Sequence, residues 1–353
     1  MNKLNNYNKN YLIKWLLAIS FPFQFILIQK EGFLNSTFFH FYVDNYKYIS
    51  DLRTSFFSFF LISIGDIFYS LFVVLSIVYF LKNKSYYFNY KTRFFIDIIS
   101  VLSFINIFFQ LSWGLNYQSQ PLEIKLKIDK SYSEEDLEKT ISYLIFKTNY
   151  LHKKLSKNDT SAIKFPFNKK EARLLLEDED TGIVKNSLWN TPLSYMGYSG
   201  YINPFTLEAQ VNAKIPMISY LTTIAHEQSH QKGVAAENES NYWAFKNTST
   251  NKNPYVKYAG YSFALRYCMS NLYKRNSKKA RILSEEIFPG VKKNFNDINE
   301  FWKKYQNPFE PIFKKTYDKF LKINNQKSGI ASYNEMVSLV IFDLKNDINS
   351  QKK

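Results

Sequence analysis

Three long segments in the amino-terminal third constrain the fold most strongly, because they contain almost no charge. Residues 15–29 and 98–115 carry no charged side chain, and residues 54–81 carry only Asp66. Each segment with its flanks reaches about 20 residues, the length that a helix needs to cross a bilayer. These segments lack the regularly spaced polar side chains that would make one face of an amphipathic helix, which argues against helices in the core of a soluble domain. We therefore predict three transmembrane helices, at about 12–29, 56–81 and 94–115.

The first of these segments has one alternative reading, a cleaved signal peptide. It lacks a small-x-small cleavage site, and two further apolar segments follow, so a retained anchor is the better interpretation. Asp66 lies inside the second predicted span. An ionisable side chain in a membrane suggests a functional role. The alternatives are a polar partner such as Asn106 or Gln110, or a position nearer the membrane surface.

Lysine and arginine placement predicts the orientation. Three lysines precede the first span, and the short loop 82–93 holds four basic residues, whereas the longer loop 30–55 holds fewer per length. We therefore expect the amino terminus and the 82–93 loop in the cytoplasm. Residues 1–116 are predicted to form the transmembrane region, and residues 117–353 an extracytoplasmic domain large enough to have its own core.

The motif HEQSH at positions 226–230 is the clearest indication of a functional site in the sequence. It contains two of only four histidines in the chain. On a helix, His226 and His230 lie on one face, where both imidazoles can bind the same metal ion. Glu227 then lies on the adjacent flank, where it can act as general base for a water activated by the metal. The motif predicts a zinc site.

A zinc site needs a third protein ligand, and a second helix after Gly233 offers one. Glycine ends helices readily because it adopts the left-handed conformation without steric cost. Glu237 is the preferred ligand, since Asn241 lies one turn further along the same face, and Glu239 is the competing candidate. The segment resembles the Glu-x-x-Ala/Ser-Asp element of many HExxH enzymes, in which the last residue orients a ligating histidine. Asn241 stands at that place here and is expected to orient a ligating histidine. Position 236 is alanine, so the third histidine of an HExxHxxGxxH site is absent.

For the rest of the domain, the sequence predicts mainly helices and one short strand. Leu207, Ala209 and Val211 alternate with polar residues, which predicts an edge strand before the metal-binding helix, where an extended peptide can add. Tyr261, Arg266 and Tyr333 are candidate donors to an oxyanion. Further helices are predicted at 133–155, 170–177, 237–248, 255–275, 279–287, 291–305, 309–323 and 332–346.

The amino-acid composition restricts the classes of molecule that this protein is expected to bind. The net charge of +16 comes from scattered lysines without a nucleic-acid-binding signature, so the predicted partners are a peptide or protein substrate and an anionic lipid bilayer, and not nucleic acid. The single cysteine, Cys268, excludes an intramolecular disulfide, and its apolar neighbours predict a buried, inert thiol.

Five segments together resemble the bacterial domain-of-unknown-function family 3810. They are WGLNY at 113–117, GYINPFTLEAQVN at 200–212, AHEQSHQKG at 225–233, ENESNYWAF at 237–245 and SYNEMV at 332–337. The resemblance implies a multi-pass protein of the bacterial cytoplasmic (inner) membrane with a gluzincin-like metallopeptidase domain, which we expect to have an α+β, zincin-like fold. It also implies that His226, His230 and a glutamate of ENES bind the metal and that Glu227 is the catalytic base.

Two functions remain open at this stage. The first is a zinc peptidase acting on an envelope protein or peptide. The second is a non-catalytic, zinc-stabilised membrane module that binds a peptide or envelope component. Glu227 distinguishes them, because a purely structural zinc site has no need of a glutamate there.

Overall fold

The computed structural model describes residues 2–128, 131–177 and 182–350. The amino-terminal third forms five helices: α1 (Asn2–Ile28), α2 (Glu31–Leu34), α3 (Thr37–Ser58), α4 (Ile64–Asn89) and α5 (Lys91–Ser112). Three of these contain stretches long and apolar enough to cross a membrane, namely Tyr11–Ile28 in α1 and the whole of α4 and α5. The prediction of a mainly helical chain with three apolar helices near its amino terminus is confirmed.

The second span is shifted relative to its predicted limits, 56–81. A break after Ser58 separates α3 from α4, and Ser63 caps the new helix by accepting a hydrogen bond of 3.0 Å from the Asp66 amide. At its other end α4 continues to Asn89, so that only Tyr90 separates it from α5. The predicted loop 82–93 is therefore the tip of a helical hairpin.

Asp66 lies in the first turn of α4, at the end of this apolar helix rather than in its middle. Its carboxylate accepts hydrogen bonds from the Ser187 hydroxyl (2.9 Å), the Leu188 amide (2.6 Å) and the Tyr201 phenol. These partners come from the carboxyl-terminal domain. Because they satisfy the carboxylate, Asp66 joins α4 to that domain.

The two partners suggested for Asp66 from sequence are engaged elsewhere. The Asn106 amide donates to Gln24 on α1, and the Gln110 amide donates to Asn324. Pairing of Asp66 with either residue is therefore wrong, because both face other helices than α4.

The chain after α5 continues with a 3₁₀ helix (Gly114–Gln118) and then forms a helical domain with one small sheet. Its elements are α6 (Leu122–Lys125), α7 (Glu134–Leu155), α8 (Lys169–Leu174), β1 (Lys185–Asn186), α9 (Asn190–Met196), β2 (Gly200–Ile202), β3 (Ala209–Val211), α10 (Met217–Gln231), α11 (Glu237–Ser249), α12 (Pro254–Arg275), α13 (Ser277–Glu285), α14 (Pro289–Lys304), α15 (Glu310–Ile323), a 3₁₀ helix (Gly329–Glu335) and α16 (Met336–Ser350).

The predicted strand is present as β3, but it is not an edge strand. The sheet order is β1-β3-β2, with β3 parallel to β1 and antiparallel to β2. All three residues of β3 are buried. The prediction of an edge strand at this place is wrong, because the two-residue strand β1 occupies the other side of β3. The edge strand beside the predicted metal-binding helix is β2.

The core of the domain is built by α7, α10, α11, α12 and α16. On α7 the apolar positions expected from helical spacing are buried, with Leu137, Ile141 and Leu144 at 0% exposure. Burial of each such side chain contributes about 1.5–3 kcal/mol relative to an exposed one. Cys268 on α12 is also fully buried, as predicted. This packing holds α10 and α11 against each other.

Helix α3 lies before the predicted domain boundary at residue 116, yet it packs against the domain after it. The Ser50 hydroxyl donates to the Gln231 carbonyl at the end of α10 (2.7 Å). Tyr42 and Tyr46 are buried in one apolar cluster with Trp113 and Leu207. The segment between the first two apolar helices and the chain after the third therefore meet on the same side of these helices.

Candidate metal centre

Helix α10 places two imidazoles at one point. His226 and His230 are one turn apart and buried, and their Nε2 atoms lie 3.1 Å from each other with the ring planes at 89°. Gly233 ends this segment with φ at 86°, a conformation that favours glycine. A side chain there would also meet the ring of Tyr46 at 2.7 Å. The turn reverses the chain so that α11 starts beside the histidines.

Glu237, the first residue of α11, completes the cluster. Its Oε2 lies 3.2 Å from His226 Nε2 and 3.6 Å from His230 Nε2, and the three side chains are buried. Glu239 lies apart from them, because its carboxylate accepts a hydrogen bond of 2.8 Å from the Leu122 amide. Of the two glutamates considered from sequence, the structure brings Glu237 to the histidines.

The spacing of these three atoms fits a zinc ion. Ligand bonds of about 2.0–2.2 Å at tetrahedral angles place ligand atoms roughly 3.3–3.6 Å apart. The observed separations are 3.1, 3.2 and 3.6 Å. Among the described residues, Glu237 Oε2 is buried without a partner in hydrogen-bonding geometry. A buried carboxylate oxygen in that state is costly unless a cation or a donor reaches it.

Backbone and hydroxyl groups orient His230. Its Nδ1 lies 2.6 Å from the Val234 carbonyl and 3.2 Å from the Ser240 hydroxyl. Donation from Nδ1 to the carbonyl leaves the Nε2 lone pair facing the centre, as a metal-ligating histidine requires. Trp113 packs edge-on against the ring, and its indole donates to the His230 carbonyl (3.0 Å).

Asn241, expected to orient a histidine, does not do so. Its amide donates to the Tyr267 hydroxyl (3.3 Å) and to the Tyr333 carbonyl (3.2 Å). That prediction is wrong because Asn241 faces α12 and the second 3₁₀ helix. The carbonyl of Val234 and the hydroxyl of Ser240 hold His230 instead.

The charges in this cluster shift the pKa values of Glu237 and His230 in opposite directions. Burial alone would raise the pKa of Glu237, but the two imidazoles outweigh it and hold this pKa well below its usual range. Burial alone would lower the pKa of His230, but the charge of Glu237 outweighs it and raises the pKa to about 9. The metal-free site therefore binds a proton where a metal cation fits.

Glu227 lies beside the cluster and faces the same space. Burial raises the pKa of its carboxyl to about 7, against the opposing influence of the two imidazoles. Its Oε2 has no hydrogen-bond partner within the described part of the chain. Strand β2 runs directly past it: a Cβ added to Gly200 would lie 2.7 Å from Glu227 Oε1. A glycine at this position lets the strand approach the carboxylate.

Of the three candidate oxyanion donors, only Tyr333 lies at the site. Its ring stacks on His226 with the centroids 6.1 Å apart and the planes at 10°. Tyr261 packs against Phe245 in the core, and Arg266 bonds Asn299 at 3.3 Å. Those two predictions are wrong, because both residues face away from the metal cluster.

Tyr317 on α15 is a site residue that sequence reasoning missed. Its phenol donates to Glu237 Oε1 at 2.7 Å and lies 3.5 Å from the Tyr333 hydroxyl. Burial and the charge of Glu237 raise the pKa of Tyr317, so it remains a donor at neutral pH. The sequence of α15 offers no motif that marks this position, which is set by how the helix packs.

A cavity of about 760 Å³ opens from these residues. At one end it is lined by the histidines, Glu227, Glu237, Tyr317, Tyr333 and Gly200. At the other end it is lined by side chains of α1, α4 and α5, which are apolar except for Asn106 and the Tyr69 hydroxyl. A large concave site with convergent polar groups and perturbed pKa values is the usual form of a binding or active site.

The fold and the site define a protein with three apolar, membrane-length helices and a buried His-His-Glu cluster of metal-ligating type. The family described as "Protein of unknown function (DUF3810)" matches residues 41–341, and the chain belongs to this family. Comparison with curated proteins and with solved structures finds no match. The family resemblance inferred from the sequence motifs is thus confirmed.

Proposed function

We propose that the protein is a zinc-dependent peptidase of zincin-like type, anchored in the bacterial cytoplasmic membrane with its catalytic domain outside the cytoplasm. The observation that carries this proposal is the position of Glu227 next to three ligand atoms spaced for zinc. A metal site that is only structural has no use for a further buried carboxylate without a hydrogen-bond partner in the described chain.

His226, His230 and Glu237 would hold the metal. Two imidazoles and one carboxylate are the donor set of several catalytic zinc sites, and three protein ligands leave one position open. When bound, zinc supplies a Lewis acid that polarises a carbonyl and makes a water more acidic.

The chain's own residues account for the remaining requirements of peptide hydrolysis. The edge of β2 at Gly200 and Ile202 can align an extended peptide by backbone hydrogen bonds. Glu227 can accept a proton from the attacking water and give it to the leaving amine. Tyr333, whose ring stacks on His226, is our candidate to donate a hydrogen bond to the negative charge that develops on the carbonyl oxygen.

Metal analysis followed by an unbiased digest tests this proposal. The full-length protein, purified in detergent, is expected to contain one zinc per chain and to cleave members of a mixed decapeptide library. Chelation is expected to stop cleavage, and added zinc to restore it. Zinc binding without cleavage would instead favour the alternative, a zinc-stabilised module that binds a peptide or envelope component.

A further inference from the structure

We propose that the substrate of this site carries a long hydrocarbon chain, and that this chain lies in the cavity between α1, α4 and α5 while the attached peptide reaches the metal cluster. The inference rests on the proposed function and names its substrate class, a lipid-anchored peptide. The observation behind it is one continuous cavity that joins Glu227 to the faces of three membrane-length helices.

Each of the three helices presents one face to this cavity. On each helix the lining positions recur three or four residues apart, at 21 and 25 on α1, at 69, 72 and 73 on α4 and at 102, 105, 106 and 109 on α5, which places them in rows along the helix axes. The apolar members of these rows are Phe21, Phe25, Phe72, Val73, Leu102 and Ile105. Apart from Asn106 and the Tyr69 hydroxyl, the cavity wall in this part is hydrocarbon, which matches an acyl or isoprenoid chain.

The way in which α1, α4 and α5 pack explains why a cavity remains between them. Helix α1 follows α5 along its length, from the Lys14–Asp97 ion pair (2.8 Å) to the hydrogen bond between Gln24 and Ser103 (2.6 Å). Helix α4 contacts α5 near their hairpin, where Phe80 packs against Phe94. At its other end α4 is held by the domain through Asp66. Between these two attachments, side chains of α1, α4 and α5 all border the cavity.

The volume of the cavity selects a single chain rather than a helix. A helix about 10–12 Å wide that rises 1.5 Å per residue would fill roughly 760 Å³ with only about five residues. A transmembrane helix of about 20 residues therefore does not fit. A flexible hydrocarbon chain does fit, with the remaining space occupied by the peptide.

Peptide and chain meet at β2. Gly200 lies against Glu227, and Ile202, two residues further, also lines the cavity. Tyr69 on α4 lies beside Tyr201 and Phe205, with ring centroids 6.4 and 6.0 Å apart. The wall is thus continuous from the strand edge to the helices. A peptide on β2 can keep its lipid anchor among the helices.

An acyl chain gains little by moving from lipid tails to an equally apolar cavity, because both surroundings are hydrocarbon. Its effect is to concentrate the peptide at the membrane and to fix its position relative to Glu227. Preference for a lipidated peptide could therefore arise from membrane partitioning alone. A test must narrow the cavity without changing partitioning.

Val73 and Val74 provide that test as matched neighbours on α4. Val73 lines the cavity and Val74 does not, although the two side chains are similarly exposed, at 45% and 55%. The zinc-loaded full-length protein is placed in phosphatidylcholine nanodiscs with the decapeptide library. The library is palmitoylated at the amino terminus or on a carboxyl-terminal lysine, or is only acetylated. The measured quantity is the ratio of cleavage rates for palmitoylated and acetylated peptides.

Val73→Trp is expected to lower this ratio at least tenfold, and Val74→Trp to leave it within twofold of the wild-type ratio. Equal ratios for the two variants, with acetylated peptides still cleaved, would overturn the inference and leave the proposed peptidase intact. Loss of all cleavage in the wild-type protein would count against the peptidase itself.

Photo-crosslinking decides the inference without catalysis. A palmitoyl chain carrying a diazirine, attached to the same peptides, is bound to the Glu227→Gln protein and the labelled residues are mapped. Labels are expected at Val73 and Ile105 rather than at Val74. Labels spread over the outward faces, or equal labelling by a diazirine phospholipid, would show that the cavity holds no substrate chain or only bilayer lipid, and would overturn the inference.

Discussion

The Tyr317 phenol donates a hydrogen bond of 2.7 Å to Glu237, a residue 80 positions earlier in the chain. This contact ties α15 to the first residue of α11. It uses Oε1 of the carboxylate and leaves Oε2 directed at the two histidines. The hydrogen bond from Tyr317 thus fixes the orientation of Glu237, the proposed third zinc ligand.

Loss of this phenol should weaken zinc binding. Tyr317→Phe removes the donor and keeps the ring, and changes of this kind around a metal site cost about 10–100-fold in affinity. We expect an increase of at least tenfold in the zinc dissociation constant, measured by competition with a chromophoric chelator. Tyr273→Phe serves as control, because Tyr273 is 52% exposed on α12. Equal affinities for both variants would contradict the role assigned to Tyr317.

The assignment of the ligands predicts a clear difference between two neighbouring glutamates. Glu237→Gln, His226→Ala and His230→Ala should each purify with much less than one zinc per chain, because three protein ligands are needed to hold the ion firmly. Glu239→Gln should keep its zinc, since Glu239 bonds the Leu122 amide. Plasma emission spectrometry of the purified variants gives the answer, and zinc lost from Glu239→Gln but kept in Glu237→Gln would reverse the assignment.

The part of the site that was predictable from sequence is the part encoded by local spacing. His226, Glu227 and His230 lie within one helix, and the turn at Gly233 brings Glu237 at the start of the next helix beside them, so a short local segment encodes all four positions. Tyr317 and Gly200 reach the site through packing of distant segments, which has no local signature. Asn241 was misassigned because its neighbours, Tyr267 and Tyr333, come from other parts of the chain.

The same distinction holds for the fold. Hydropathy located the three apolar helices, because membrane-length runs are a property of the sequence itself. The central position of β3 depends on pairing with Lys185 and Asn186, a strand too short to show alternation. The start of α4 depends on Ser63, which caps the helix. It is a single polar residue within an apolar stretch, so hydropathy alone does not reveal this helix start.

Zinc affinity should depend on pH with a defined sign. The pKa of His230 is about 9 in the metal-free protein, so near neutral pH this ring is protonated and must lose a proton before it can bind a metal. Release of one proton makes the apparent affinity rise about tenfold per pH unit up to about pH 9, and level off above it. Competition titrations at pH 7, 8 and 9 check this, and an affinity independent of pH would contradict it.

The proposed orientation in the membrane predicts the behaviour of reporter fusions. Alkaline phosphatase fused after residue 36 or after residue 120 should be active, and green fluorescent protein fused at Tyr90 should fluoresce, because the basic residues flanking the hairpin favour the cytoplasm. The structure requires the fusions at 36 and 120 to agree with each other, since α3 packs on the domain that follows α5. The reverse pattern would place the metal cluster in the cytoplasm.

The central claim, that Glu227 acts as the base of a zinc peptidase, is tested most directly by Glu227→Gln. This change keeps the shape of the side chain but removes its ability to accept a proton. The variant should retain one zinc per chain and lose at least about a thousandfold in the rate of peptide hydrolysis. Glu300→Gln, a change at a 60% exposed side chain on α14, should leave both quantities unchanged. Hydrolysis by the Glu227→Gln protein at the wild-type rate would contradict the account.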